Sequence, residues 1–404
     1  MTVPSGAPLA GMRIVELAGF VAVPLGGMTL ASLGAEVIRV DPIGGGPDRG
    51  RWPADPSGNS LYWAGLNQGK KSVTVDLRAP EGRELVAELA AAAGIVLTNT
   101  HPRPGLSPVD LRGRRPDLIH VQLTGRRDGS TAVDYTVNAE CGFPGITGPA
   151  ELDAPVNHVL PAWDIATGLY LAVGLLAAER QRDRTGEPQT LRVALGDVAL
   201  ATAGHLGYLA EAQLTETPRG RIGNDIYGDF GRDFVAADGE RFMLLVLTSR
   251  HWDDLLTVTG LDAPVREFAK AMGADFAQPA ERYRYRQALA GMLADWFAAR
   301  TGAEVHATLG RSSALWGRYR TFGDLVSSGS LAANPLMSRV NQPGISSYLS
   351  PGSPLLFDEV QRPARPAPTL GEHTDSVLSG VLDLPGAKLD DLRRRGVIGT
   401  AIAP

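Results

Sequence analysis

Cysteine is almost missing from this chain of 404 residues: Cys141 stands alone. That excludes an intramolecular disulfide and fits a reducing, cytoplasmic setting. In its apolar Gly-Phe-Pro-Gly neighbourhood, Cys141 reads as a small buried hydrophobe before it reads as a nucleophile. Residues 1–11 lack the basic and apolar blocks of a secretory leader, so none is expected. No membrane span is expected either: the apolar stretch 165–178 falls short of the ~20 residues a crossing needs and reads as core helix. Charge of neither sign dominates. There are 39 Lys+Arg against 44 Asp+Glu, interspersed, for a net −5, which argues against a nucleic-acid partner. The histidines are scattered, with no H-E-x-x-H or Cys/His cluster, so no metal is expected. A G-x-S-x-G elbow and a P-loop are also missing. The glycine run PIGGGPDRG (42–50) lacks dinucleotide-fingerprint spacing and follows the second strand, so it reads equally as a surface loop. Carboxylates remain as the strongest candidates for covalent chemistry.

What is present is ample core material, 44% hydrophobic, enough for two or three domains. Strand-like runs at 13–17, 36–41, 72–77, 95–98 and 117–124 alternate with helical stretches at 24–34 and 80–93. That alternation predicts a parallel sheet covered on both faces. Ligands of such sheets bind beyond the carboxyl ends of the strands, here 18–22, 41–46, 99–103 and 124–128. Lys70 and Lys71, just before a strand, read as solvated surface or as point charges for phosphate.

The central stretch, 158–197, reads as a strand-like lead ending at Pro161, a helix from Ile165 to about Arg182, and a second strand after a Gly/Pro turn. The helix is apolar nearly all round and is expected to be buried. Asp164 lies at its start, where free N–H groups and the positive end of the dipole favour a carboxylate. Taken alone, it reads first as a helix cap rather than a catalyst. One more helix is expected over 197–213, with His205 core or surface. Two strands joined by Asp238–Gly239 form a hairpin signal, helical material runs from 251 to 310, and the Ser/Pro/Gly-rich residues 326–365 read as an extended linker. The expected domains are 1–205, a linker 206–225, a small domain 226–325, and a return over 326–404.

Several stretches together resemble the class III CoA-transferases. They are GMRIVELAGFVAVPLGGMTLASLGAEVIRVDPIGGG at the start, LYWAGLNQGKKSVTVDLRAPEGRELVAELAAAAGIVLTN after it, HVLPAWDIATG before the central helix, and PAPTLGEHTDSVL near the end. The resemblance implies a Rossmann-like large domain built from both chain ends, a smaller α+β domain, and an interlaced homodimer. It also implies an acyl-CoA substrate, no permanently bound cofactor, and Asp164 as the nucleophile that carries the acyl group. For CoA it implies contacts from Val21, Ala22, Arg39, Lys71, Val75, Asp76, Arg78, Asn99, Thr100, His101 and Arg103. Pro42 stands where the family often has Arg, which leaves one nucleotide contact in doubt.

Within the family, GRRDGSTAVDYTVN, YGDFGRDF and QPGISSYLSPGSPL resemble members that move CoA between the two carboxyls of mesaconate. Arg126 and Arg127 are then expected to face the acyl end of the pocket, one of them holding the free carboxylate. Gly228 and Gly231 are expected as oxyanion donors, though they fit turn glycines before a hairpin equally well. The alternatives are an intermolecular CoA-transferase with a separate acid acceptor and an α-methylacyl-CoA racemase. The racemase pairs its Asp with a His at a His-Asp step that reads Val133–Asp134 here.

Overall fold

The computed structural model describes residues 6–216 and 219–401. Parts of the expected first domain, linker and return (1–5, 217–218 and 402–404) lie outside them. The chain divides into two compact units, one formed by 1–141, 158–211 and 329–404, the other by 142–157 and 212–328. Residues 142–157 leave the first unit just ahead of the central helix, an excursion the domain boundaries expected from sequence did not include.

The first unit opens with β1 (Arg13–Leu17), α1 (Ala22–Ser32), β2 (Glu36–Asp41), α2 (Leu61–Leu66), β3 (Lys71–Thr74), α3 (Pro80–Ala93), β4 (Ile95–Thr98), α4 (Pro108–Arg114), β5 (Ile119–Thr124) and α5 (Asp134–Glu140). After α6 (Phe143–Ile146), which belongs to the second unit, come α7 (Ala162–Thr185), β6 (Gln189–Ala194), α8 (Leu195–His205) and α9 (Tyr208–Leu214), whose residues after Glu211 are counted with the second unit. The six strands form one parallel sheet in the order β3-β2-β1-β4-β5-β6.

Side chains alternate between the two faces of the sheet, as a pleat requires. Ile14, Val37, Ile95, Leu97, Ile119 and Val121 pack with α1 and α7. Val15, Ile38, Val40, Val73 and Val96 pack with α3 on the other face. That second face is completed by the far end of the chain, through Val377 and Leu378 of a helix at Thr374–Leu382 and Leu389 and Leu392 of one at Gly386–Arg394. Both chain ends therefore build this domain.

Helix α7 differs from its expected form in three ways. Residues 158–161 hold no strand. The helix starts at Ala162 and runs 24 residues, so Asp164 is already in the first turn. Its surface is only partly covered: Leu171, Ala172 and Leu175 face the core, whereas Leu169, Tyr170 and Val173 are exposed. Length and composition would let it cross a bilayer, but here it packs on the sheet and on α1. The two helices touch backbone to backbone. A Cβ on Gly26 would stand 2.9 Å from the Gly168 carbonyl oxygen, and one on Gly168 would stand 2.7 Å from that of Ala22.

Elsewhere, the single helix expected over 197–213 breaks at Gly207, whose positive φ ends α8. The expected linker holds an antiparallel pair, Met337–Gln342 with Ser346–Pro351, joined across Pro343–Gly344.

The second unit carries a three-stranded antiparallel sheet, β7 (Phe230–Val235), β8 (Arg241–Val246) and β9 (Leu315–Arg318), in that order. Asp238–Gly239 makes the hairpin turn, with the Ala236 N–H donating to the Glu240 carbonyl. Five helices between Ser249 and Leu309 lie between β8 and β9 in sequence. The core of this unit is aromatic: Phe234 stacks on Phe297 at 4.7 Å, beside Phe230, Phe242, Trp252 and Trp296.

Candidate active site

The strand order reverses at β1, which pairs with β2 on one side and β4 on the other. Parallel sheets open a crevice at that switch point, beyond the strands' carboxyl ends. A cavity of about 350 Å³ lies there, lined by Gly19–Ala22 after β1, Asn99–His101 after β4, Thr124–Gly125 after β5, and Asp164. The Asn99 side chain ties two of these loops, donating to the Gly19 carbonyl at 3.0 Å and accepting from the Gly19 N–H at 3.3 Å. Phe20, between them, is held at a φ of 67°, a left-handed conformation costly for a bulky residue.

Asp164 is largely buried in the first turn of α7, and among the described residues its carboxylate accepts no hydrogen bond. The helix does not cap itself, because the N-cap residue is Pro161, which has no side-chain acceptor. The carboxylate of Asp134 takes that place from α5. Its Oδ2 accepts from the backbone N–H groups of Trp163 and Asp164 at 2.8 and 3.1 Å, and its Oδ1 meets Nε2 of His158 at 2.8 Å. One turn along α5, Asn138 accepts from the Trp163 indole at 3.0 Å.

Asp164 is therefore in a different electrostatic setting from the one expected of a residue at a helix start. Burial and the neighbouring Asp134 charge push its pKa up to about 7, while Arg51 pulls the other way. Arg51 stacks over Phe20 and Tyr62, 5.7 and 5.2 Å from the ring centres. Tyr62, on α2, has a buried hydroxyl with no hydrogen-bond partner among the described residues. Burial pushes its pKa up to about 12, and the Asp164 charge adds to that rise.

The residues expected to bind CoA separate into groups. Val21, Ala22, Asn99, Thr100 and His101 line the Asp164 cavity. Arg103 lines a neighbouring space of about 20 Å³ that shares Thr100 and His101. Hydrogen bonds from Arg78, which pairs with Asp76 at 2.9 Å, hold the Asp76 carboxyl below the usual range, and the Arg103 charge adds a smaller part. Val75 is fully buried, and Val75 and Asp76 pair through backbone with Ile398 and Val397.

Lys71 and Arg39 are placed elsewhere. Lys71 opens β3 at the amino edge of the sheet, where it pairs with Glu36. Arg39 is 1% exposed, with its donors on Asp41, Asp48 and Asn67. Asp48 in turn accepts from the Phe20 N–H at 3.1 Å, so Arg39 supports the rim of the cavity from inside the protein.

Arg126 and Arg127 correct the expectation placed on them. Their loop borders the cavity through Gly125 and 129–133. Arg126, however, turns to Glu140 at 2.6 Å and to the Thr131 carbonyl, and Arg127 turns to Asp197 at 2.8 Å. Neither lines the cavity; Arg192 of β6 does. Gly228 and Gly231 lie in the second unit. Gly228 has a positive φ of 82° with open space around it. Gly231 is a strand residue where a Cβ would meet Ile226 at 2.7 Å. Among the described residues no cluster of metal ligands occurs, and the Cys141 thiol is buried, 3.2 Å from the Asn138 carbonyl oxygen.

Sequence reading missed Arg51, Tyr62, Asp134, His158 and Arg192. The Asp-Arg-Gly-Arg tail of the glycine run and the Val133–Asp134 step were visible signals for two of them; for His158 there was none.

Residues 9–374 match the family model of CoA-transferase family III. The chain is 49% identical to 2-methylfumaryl-CoA isomerase of Chloroflexus aurantiacus, over 96% of this chain and 97% of that one. It is 28% identical to succinyl-CoA:glutarate CoA-transferase of Mus musculus, over 97% and 90%. The solved structure of a CaiB/BaiF family protein from Brucella suis superposes with a TM-score of 0.75 at 27% identity, covering 93% of this chain and 99% of that one.

Proposed function

From the premise that this chain belongs to CoA-transferase family III, we propose that it moves CoA between the two carboxyl groups of one substrate. The reaction converts 2-methylfumaryl-CoA (mesaconyl-C1-CoA) into 3-methylfumaryl-CoA (mesaconyl-C4-CoA). The observation that carries this reading is the Asp164 carboxylate, unpartnered within a cavity at the switch point of the sheet.

In its ionised form Asp164 attacks the thioester carbonyl. The C–S bond breaks, CoA leaves as thiolate, and a mixed anhydride remains on Asp164. The thiolate attacks the Asp164 carbonyl, forming an aspartyl-CoA thioester and releasing mesaconate within the cavity. The other mesaconate carboxylate attacks that thioester, the thiolate leaves again, and it then adds to the new acyl carbonyl. Asp164 is regenerated and CoA now sits on C4. Each step exchanges one acyl bond for another, so no external oxidant, reductant or water enters. A retained mesaconate acts at an effective concentration of about 10⁵ M or more, well above any free acid. In this reading its carboxylates are met by Arg192, on the cavity wall, and by Arg51, whose charge acts on Asp164.

The test is turnover of mesaconyl-C1-CoA with isotopically labelled free mesaconate present. The product ester should stay unlabelled, and the enzyme should run as two chains per particle by light scattering. Label entering as fast as the ester isomerises would replace this reading with an intermolecular transferase.

A further inference from the structure

The side chain that caps the central helix is not the one at its start. We infer that Asp134, steadied by His158, is a positioning residue that keeps Asp164 uncapped: it takes the helix N–H groups that would otherwise hold and quench the nucleophile. This rests on Asp164 being the nucleophile, and it adds a device that controls how reactive that carboxylate is.

A carboxylate in the first turn of a helix normally settles onto free N–H groups or is stabilised by the dipole, which lowers both its pKa and its nucleophilicity. Here one oxygen of Asp134 bridges the N–H groups of Trp163 and Asp164, while the other meets His158. Asp134 itself is buried. Its alignment is fixed twice, by His158 on one side and by the Asn138–Trp163 bond from the same helix on the other. The positive end of α7 is thereby occupied by a neighbour, and the Asp164 carboxylate faces that neighbour's charge while accepting no hydrogen bond among the described residues.

The charged and titratable groups acting on Asp164 are Asp134 from α5 and Arg51 from the loop before α2. Tyr62 of α2 is coupled to the same site, and Tyr135 and His158 flank Asp134. When Asp164 forms the anhydride or the CoA thioester it becomes neutral, and its repulsion from Asp134 disappears. The free nucleophile is thus raised in energy relative to both covalent states, and only such a difference accelerates chemistry.

A purely structural cap makes a different prediction from a charged one. Asp134→Asn keeps an oxygen for the two N–H groups but removes the charge. Full-length protein carrying ¹³C at Asp Cγ allows Asp164 to be followed directly, its signal assigned by its loss in Asp164→Asn. The wild-type signal should titrate near pH 7. In Asp134→Asn it should titrate about one unit or more lower, and the acid limb of the kcat profile should move with it. Above that limb, kcat should fall roughly ten- to hundredfold with KM changed less than about threefold. An Asp164 titration that stays in place overturns the proposal.

His158→Ala, which frees Asp134 to rotate, should lower both the titration point and kcat. His158→Gln, whose amide can still donate to Asp134, should restore most of both; equal losses in the two variants remove His158 from the device. Should Asp134→Asn fail to fold, the His158→Ala titration decides alone, with an unmoved Asp164 signal overturning the proposal. Asp164→Ala retaining turnover would instead end the nucleophile reading, an outcome the Asp134 titrations do not produce.

Discussion

Two groups of buried carboxylates lie near the carboxyl ends of the same sheet and are treated in opposite ways. Beneath the rim of the cavity, Glu16, Asp41 and Asp48 surround Arg39 and Lys70. Lys70 donates to Glu16 at 2.8 Å, to the Pro24 carbonyl at 2.9 Å and to Asn67 at 3.0 Å. Arg39 reaches Asp41 and Asp48, both at 2.9 Å. Every carboxylate there has a cation. At the start of α7, Asp134 and Asp164 share a neighbourhood in which the N–H groups and His158 serve only Asp134. The first group is arranged for rigidity, as buried ions must be. The second leaves one ion in conflict with its surroundings, which is how a fold stores reactivity.

The sharpest way to break the comparison is to remove the cation from the satisfied group. Arg39→Met strands Asp41 and Asp48 without their partner and should cost about 3–5 kcal/mol of folding stability. Urea unfolding would register this as a lower midpoint at constant slope; an unchanged midpoint would mean that the group is not structural.

A smaller effect of opposite sign is expected from the unsatisfied site. Asp164 is held near pH 7 in the folded chain, above the value of about 4 for an unfolded aspartate. The folded state therefore holds that proton more tightly. Its contribution to stability is full below about pH 4 and is lost as the pH rises through 7. Asp164→Asn should then stabilise the protein at pH 8 by on the order of 2 kcal/mol, less than the full linkage value because the side chain is partly open to water. At pH 5 the gain should shrink, and thermal unfolding at the two pH values measures the difference. The smallest effect belongs to Arg127, whose pairing with Asp197 is at the surface. Arg127→Ala should change stability by less than about 0.5 kcal/mol and kcat/KM by less than about threefold. A large loss in kcat/KM would return it to the substrate.

The sheet was legible because its information is local. Runs such as RIVEL, EVIRVD and IVLT are apolar on both faces, as only a strand between two helix layers needs to be. The Asp238–Gly239 turn likewise carries its own signal. Asp164 was found as a candidate, but its electrostatics were misjudged. A helix start predicts a stabilised carboxylate only if no other anion has already taken the N–H groups, and Asp134 lies thirty residues earlier on another helix. His158 was counted among scattered histidines for the same reason, since its partner comes from α5. The pair Met337–Gln342 and Ser346–Pro351 lies in a stretch whose serine, proline and glycine suggest a linker, although Pro343–Gly344 marks its turn. The expectation for Arg126 and Arg127 rests on a resemblance, which fixes where a loop is but not which way a long side chain turns.

The contact between Gly26 and Gly168 has a mechanical consequence. With no side chain between them, two backbones meet directly, and such a joint neither slides nor tilts without atoms overlapping. Val21 and Ala22 at one helix start and Asp164 at the other therefore move together as a fixed jaw. Any change of fit around a guest must then come from what faces the jaw, the loop 125–133 and the turn at Phe20. Anyone wishing to refit this cavity to a bulkier acid should recast those two segments and leave the jaw untouched.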